Sequence, residues 1–282
     1  MSHRIGLVQM RSGRDMARNL ADASDLIRAA HARGAVFVTT PEITNIIEPD
    51  RPRLRSLVRF ENEDESVARF ATLAGELGIW LNIGSLALKG DGEKLLNRSL
   101  LLSPTGAIAA RYDKIHLFDV DLPTGETWRE SHAYAGGSKS VLADTALGPL
   151  GMTICYDMRF PALYRSLAKS GAGFFTVPSA FTVPTGQAHW HVLLRARAIE
   201  TGSFILAAAQ GGCHESGRET YGHSLAVSPW GDVLAEGGTE PEVLMADIDM
   251  REVADARWRI PALEHGRPFS LHVLNPPGGV AS

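Results

Sequence analysis

The chain has 282 residues, is 44% hydrophobic and carries a formal net charge of -4. It is long enough to close a large core, and its balanced, dispersed Lys and Arg leave no electrostatic footprint for a nucleic acid or an anionic membrane. The two cysteines, Cys155 and Cys213, exclude a disulfide framework and read as free thiols in a reducing compartment.

The N-terminus enters an apolar alternating run at Ile5 to Val8 with no basic leader and no long apolar segment behind it. The expectation is a cytoplasmic protein that acts on a small molecule, without a membrane span or a signal peptide. Arg4 to Gln9 reads as a strand. A helix with Leu20, Ala23, Ile27 and Ala30 on one face follows, then a strand at Ala35 to Thr39. A second helix, from about Asp64 to Leu77, spaces Val67, Phe70, Ala71, Ala74 and Leu77 helically and ends at Gly78. A third is expected from Pro161 to Ser170, and a fourth from about Ala188 to Thr201 before Gly202.

The chain also resembles itself. Residues 34–41, Gly-Ala-Val-Phe-Val-Thr-Thr-Pro, parallel residues 171–178, Gly-Ala-Gly-Phe-Phe-Thr-Val-Pro, and each follows a helix. Residues 99–106 and 224–231 each read as strand, Ser-Pro-x-Gly turn, strand. Two similar halves, each a sheet with helices on one face, bury their bare faces by stacking sheet on sheet. The α/β fold predicted is therefore a four-layer α-β-β-α sandwich in residues 1–257. Residues 258–282, with Pro261, Pro268, Pro276 and Pro277 and no periodicity, read as an extended arm on the domain or on a partner subunit.

Positions where the halves differ chemically are the candidate site. Glu42 follows Pro41 where Ser179 follows Pro178, which puts a carboxylate at the carboxyl end of a buried strand, where α/β folds gather ligands. Cys155 closes an apolar run just before a helix start. That arrangement is similar in geometry to a nucleophile elbow, and there free amides and the helix dipole are expected to lower the thiol pKa. Lys114 opens a segment, Ile115 to Asp119, too apolar for a surface loop, and Glu130 lies in a long loop rich in glycine and aromatics. Each residue also has a plain reading: a solvated glutamate, a buried apolar cysteine, a surface lysine.

Together these motifs resemble those of the nitrilase, or carbon-nitrogen hydrolase, superfamily over almost the whole chain. Thr40-Pro41-Glu42 is similar to its glutamate motif, Arg111 to Leu117 to its lysine motif, and Ile154 to Pro161 to its cysteine motif; Glu130 matches a second glutamate used beside the lysine. Residues 186–200, 207–210 and 221–224 resemble the Nit branch, which includes omega-amidases and the amidase acting on deaminated glutathione.

The resemblance implies the four-layer sandwich, a homodimer or larger assembly, no cofactor, no metal, and cleavage of a small non-peptide amide to carboxylate and ammonia. Cys155 would attack and Glu42 shuttle the proton through a thioester, while Lys114 and the Tyr156 amide stabilise the oxyanion. Arg159, one helical turn further, is suited to hold a substrate carboxylate, with a structural ion pair to Asp157 as the alternative. Nitrile and N-carbamoyl amide hydrolysis use the same three residues, and a silent binding or scaffold member is the reading from another class. A zinc hydrolase is disfavoured because His189 and His191, two apart, point to different helix faces. Cys213 reads as a loop spectator.

Overall fold

The computed structural model describes residues 2–123 and 125–273. Its first half runs β1 (His3–Gln9), α1 (Met16–Ala32), β2 (Phe37–Thr39), α2 (Arg51–Leu57), α3 (Glu65–Leu77), β3 (Trp80–Lys89), β4 (Leu95–Leu102) and β5 (Ile108–Asp113). A small hairpin of β6 (Asp119–Asp121) and β7 (Thr127–Arg129) leads to the second half. This comprises β8 (Val141–Thr145), β9 (Gly148–Met152), α4 (Pro161–Lys169), β10 (Phe174–Thr176), α5 (Val183–Thr201), β11 (Phe204–Ala207), a hairpin of β12 (Gly211–Cys213) and β13 (Glu219–Tyr221), β14 (Leu225–Val227) and β15 (Val233–Glu236). The strand β16 (Glu242–Ile248) and the helix α6 (Met250–Arg259) follow.

One sheet is ordered β16-β1-β2-β3-β4-β5, the other β15-β14-β11-β10-β9-β8. Read from the edge, β1 to β5 correspond to β9, β10, β11, β14 and β15, so the internal resemblance is a structural repeat. Within each half the first three strands are parallel, as β-helix-β crossovers require, and the rest antiparallel.

The period-two alternation of β1 explains the layers. Ile5 and Leu7 point to the second sheet and join a core containing Leu150, Met152 and Phe174, while Val8 lies under Ala23, Ile27 and Ala30 of α1. Phe37 and Phe174, from matched strands, meet edge to face at 5.5 Å between the sheets. On the outer face of the first sheet, α3 adds Phe70, Leu73 and Ala74. Asp64 caps its first turn by accepting from the amides of Ser66 and Val67, and Gly78 ends it at φ 64°. The observed architecture is the predicted α-β-β-α sandwich.

Three elements differ from the periodicity reading. Helix α5 starts at Val183 rather than Ala188, because its first turns pack Gly186 against the ring of Tyr221 and so carry no ordinary apolar stripe. Helices α2 and α6 bury only Leu54, and only Val253 and Ala256, respectively, too few residues for a recognisable pattern. Trp258 and Arg259 complete α6. Residues 260–273 carry neither helix nor strand, and residues 274–282, with Pro276 and Pro277, lie outside the described residues.

The loops that follow β2 and β10 meet at Gly84. A Cβ there would sit 2.0 Å from the Thr40 carbonyl oxygen and 2.5 Å from Pro178. The register of β3 on β4 shifts between Ile83 and Leu86, a bulge that turns Ser85 toward the loop after β2. Ser85 donates its amide to the Pro41 carbonyl and its carbonyl accepts from Thr44, while its hydroxyl accepts from the Ile43 amide. Gly84→Ala is expected to push this loop away and lower stability by about 2 kcal/mol or more, checked by urea unfolding; a change under about 0.5 kcal/mol would mean that the contact relaxes freely.

Candidate active site

Glu42, Lys114, Glu130 and Cys155 come from four separate segments and line one cavity of about 380 Å³. Lys114 is at the centre: its Nζ donates to Glu42 Oε1 at 2.7 Å and to Glu130 Oε2 at 2.9 Å. Its side chain is 2% exposed and those of the two glutamates 6% and 14%. Two carboxylates sharing one buried ammonium leave a net negative cluster, which is tolerated because amides supply further donors. Ala180 N–H donates to Glu42 Oε2 at 2.9 Å, and Phe118 N–H to Glu130 Oε2 at 2.6 Å.

Burial alone pushes the Glu42 carboxyl up. The Lys114 charge and hydrogen bond, with Asn97, outweigh that and hold it below its ordinary range. Burial likewise opposes the Lys114 ammonium, yet Glu130 and Glu42 hold its pKa well above the usual lysine value. The Cys155 thiol moves opposite to the sequence expectation. Burial, then the neighbouring Glu42 carboxylate, push it well up, and these outweigh Lys114 and the Ala180 amide. The turn beginning at Cys155 is a five-residue 3-10 segment, Cys155–Arg159, too short to supply the expected helix dipole. The ground state is therefore a thiol facing a carboxylate.

Backbone strain marks the site. Three non-glycine residues have positive φ among those described: Ile43 at 52°, Cys155 at 47° and His223 at 52°. The first follows Glu42 and the second bears the thiol, and a β-branched residue such as Ile43 adopts this region only when its surroundings impose it. For Ile43 these are Ser85 and Gln210, whose Nε2 donates to the Glu42 carbonyl at 3.1 Å. For Cys155 the restraint is Asp157, fully buried, which accepts from the Tyr112 hydroxyl at 2.6 Å, the Ile154 amide at 2.9 Å and both the backbone and the ring of His116.

Tyr156 and Arg159 are not among the described residues that line the cavity. The Tyr156 ring packs on Phe118 and Phe160. The Arg159 guanidinium lies over the rings of Tyr156 and of Phe181, a residue that lines the cavity, and is 3.3 Å from His189 Nδ1, while Asp157 accepts from Tyr112, Ile154 and His116. Cys213 is exposed on β12.

Sequence reasoning missed Asn97. It sits on β4 beside Lys114 and its Nδ2 donates to Glu42 at 2.9 Å and Glu130 at 3.1 Å, while its Oδ1 is buried without a partner. The only available signal was an asparagine on an inward-facing strand position directly after two leucines. Among the described residues no group of three or more His, Cys, Asp or Glu is arranged to hold a metal, and no helix is long and apolar enough to cross a membrane.

A thiol, a carboxylate and an ammonium gathered in one cavity of this sandwich are the groups that a cysteine-dependent hydrolase requires. The chain matches the carbon-nitrogen hydrolase family over residues 4–258 and belongs to it. It is 37% identical over 262 residues to the deaminated glutathione amidase of Synechocystis sp., an alignment covering 92% of this chain and 96% of that one. Among solved structures it is similar to Nit3 of Saccharomyces cerevisiae, a member of branch 10 of the nitrilase superfamily, with TM-score 0.83 and 31% identity over 92% of this chain and 94% of that chain. It is also similar to an amidase from Nesterenkonia sp. AN1, solved as a mutant with the acetamide moiety of fluoroacetamide added covalently at its active-site cysteine, with TM-score 0.79 and 26% identity over 94% of each chain. The chain is a cysteine-dependent carbon-nitrogen hydrolase, an amidase of the nitrilase superfamily.

Proposed function

We propose that Cys155 is the nucleophile, Glu42 the general acid and base, and Lys114 the cation that stabilises the oxyanion, in an amidase acting on a short carboxylate-bearing amide of the deaminated-glutathione or omega-amide kind. The observation that carries this reading is the 2.7 Å contact between Lys114 and Glu42 in the cavity that Cys155 also lines.

Glu42 takes the thiol proton as sulfur attacks the amide carbonyl carbon, and the oxyanion that forms is met by the Lys114 ammonium. Glu42 then gives the proton to the leaving nitrogen, the carbon-nitrogen bond breaks, and a thioester remains. Water enters, loses a proton to Glu42 and attacks the thioester. The carbon-sulfur bond breaks, the proton returns to sulfur and the acid departs. Glu130 takes no proton in this scheme; it holds Lys114 charged and in place through two hydrogen bonds. The high thiol pKa is consistent with a base acting during attack rather than with a thiolate formed beforehand.

The pH profile tests Glu42. Because its carboxyl is held below the ordinary range, kcat/KM is expected to be level from pH 7 down to about 5 and to fall only below that. An acid limb centred near the histidine range, about 6.5, would assign the base elsewhere. Substrate class is tested by a screen of small omega-amides, deaminated glutathione and nitriles, with product acid as the readout. Turnover confined to nitriles would overturn the amide reading.

Residues 258–282 are read as an arm beyond a catalytic domain of residues 1–257, and the chain as a cytoplasmic homodimer or higher assembly. Supporting this, Trp258, Phe269 and Leu271 are exposed by 83%, 93% and 84%, apolar surface that a second copy would cover.

A further inference from the structure

Four cationic side chains line the cavity among the described residues: Arg51, Lys114, Arg129 and Arg218. Lys114 is shared by two glutamates. Arg129 is bound to both oxygens of Asp121 and to two backbone carbonyls. Glu48, the remaining carboxylate of the lining, is taken by Arg14 and Arg53. Arg51 is exposed and reaches only the Arg129 carbonyl, at 3.5 Å.

Arg218 differs from the others. One Nη donates to the Ala180 carbonyl at 2.7 Å, its guanidinium carbon lies 4.8 Å from the centre of the Trp128 ring, and its Nε is buried without an acceptor. Two residues earlier, the hydroxyl of Ser216, also lining the cavity, is buried and unpartnered as well. A buried donor without an acceptor is destabilising unless a ligand supplies one, and two on one short loop facing one cavity make a matched pair. The loop that carries them is fixed. The amide of His214 donates to the Arg218 carbonyl, Gly217 donates back to His214, and the buried His214 ring bridges the Ser12 carbonyl and the Thr220 hydroxyl at 2.9 and 2.7 Å.

We propose that Arg218 and Ser216 form the anion subsite of this cavity and hold a carboxylate of the amide substrate. The guanidinium edge presents parallel donors that fit a carboxylate bidentately, and stacking on Trp128 sets its plane. Arg218 is connected to the reacting groups through one residue: Ala180 accepts from Arg218 with its carbonyl and donates to Glu42 with its amide. An anchored carboxylate would therefore hold a short substrate in register with Cys155. This rests on the amidase reading above and adds to it which end of the cavity selects the substrate.

The test compares glutaramate, a monoamide with a terminal carboxylate, with pentanamide, its uncharged analogue, and measures glutarate binding by calorimetry. In Arg218→Gln the ratio of kcat/KM for glutaramate to that for pentanamide is expected to fall about tenfold or more, and the Kd for glutarate to rise by a similar factor. Ser216→Ala should shift both in the same direction by a smaller factor. Arg218→Lys, which keeps the charge but not the planar fork, should recover only part of the loss. A ratio and a Kd both within about twofold of the parent enzyme in Arg218→Gln would overturn the assignment, as would a larger shift from Arg159→Lys than from Arg218→Gln. Glutarate binding needs no turnover, so a parent enzyme that binds glutarate through Arg218 yet hydrolyses neither amide would contradict the amidase reading and leave the subsite standing.

Discussion

Cys155→Ala is expected to lose amide turnover by a factor on the order of 10⁴ or more, with little change in fold. The ionisable groups beside the sulfur are already engaged: the carboxylate of Glu42 is bound to Lys114, Asn97 and the Ala180 amide, and the Lys114 amine is held protonated and shared. Alanine tolerates the φ of 47° at position 155 no worse than cysteine does, so stability should move by no more than about 1 kcal/mol. Peptide mapping after alkylation provides the internal control, because the exposed Cys213 should still be modified. A variant that keeps more than about a tenth of the parent rate would show that the thiol is a bystander.

The second large effect is on both rate and stability. Lys114→Met removes the cation between Glu42 and Glu130, leaving two buried carboxylates with amide and Asn97 donors only. An uncompensated buried charge costs about 3 to 5 kcal/mol, and the lost oxyanion donor about 2.7 to 4 kcal/mol of barrier. The pH dependence follows from the sign of the Glu42 shift. In the parent chain Glu42 sits below its ordinary pKa, so its contribution is present above the unfolded value and is lost as pH falls through the folded value. Without the ammonium the balance tips to desolvation, and Glu42 takes up a proton at higher pH. The stability deficit of Lys114→Met should then be largest near pH 7.5 and narrow toward pH 5, as measured by urea unfolding at both. An equal deficit at the two pH values would place the cost in packing rather than charge.

The sandwich was legible because its halves repeat an alternating apolar strand, a helix with one apolar face and a Ser-Pro-x-Gly turn, and these patterns report burial directly. Glu42, Cys155 and Lys114 were legible as chemistry that breaks the repeat or the local polarity. Asn97 and Asp157 were not: their partners are 55 and 45 residues away in the chain, at Glu42 and Tyr112, and no local pattern encodes such a pairing. The direction of the Cys155 pKa was misread for the same reason. A helix start is visible in sequence, whereas complete burial beside a carboxylate is a tertiary fact. Arg218 was passed over because an arginine in a glycine-flanked loop looks like solvent-exposed charge until its Nε is found enclosed.

Strand β16 pairs with β1 across seven residue pairs, from His3 with Ile248 to Gln9 with Glu242, so the last strand among the described residues completes the sheet begun by the first. During synthesis, β1 waits for its neighbour until some 230 further residues have left the ribosome. The nascent first half therefore exposes an open strand edge for most of its translation, at roughly 5 to 20 residues per second. Arrest before residue 242 would yield a species prone to pair with other chains through β1, and C-terminal truncations should be found in inclusion bodies rather than as folded half-molecules.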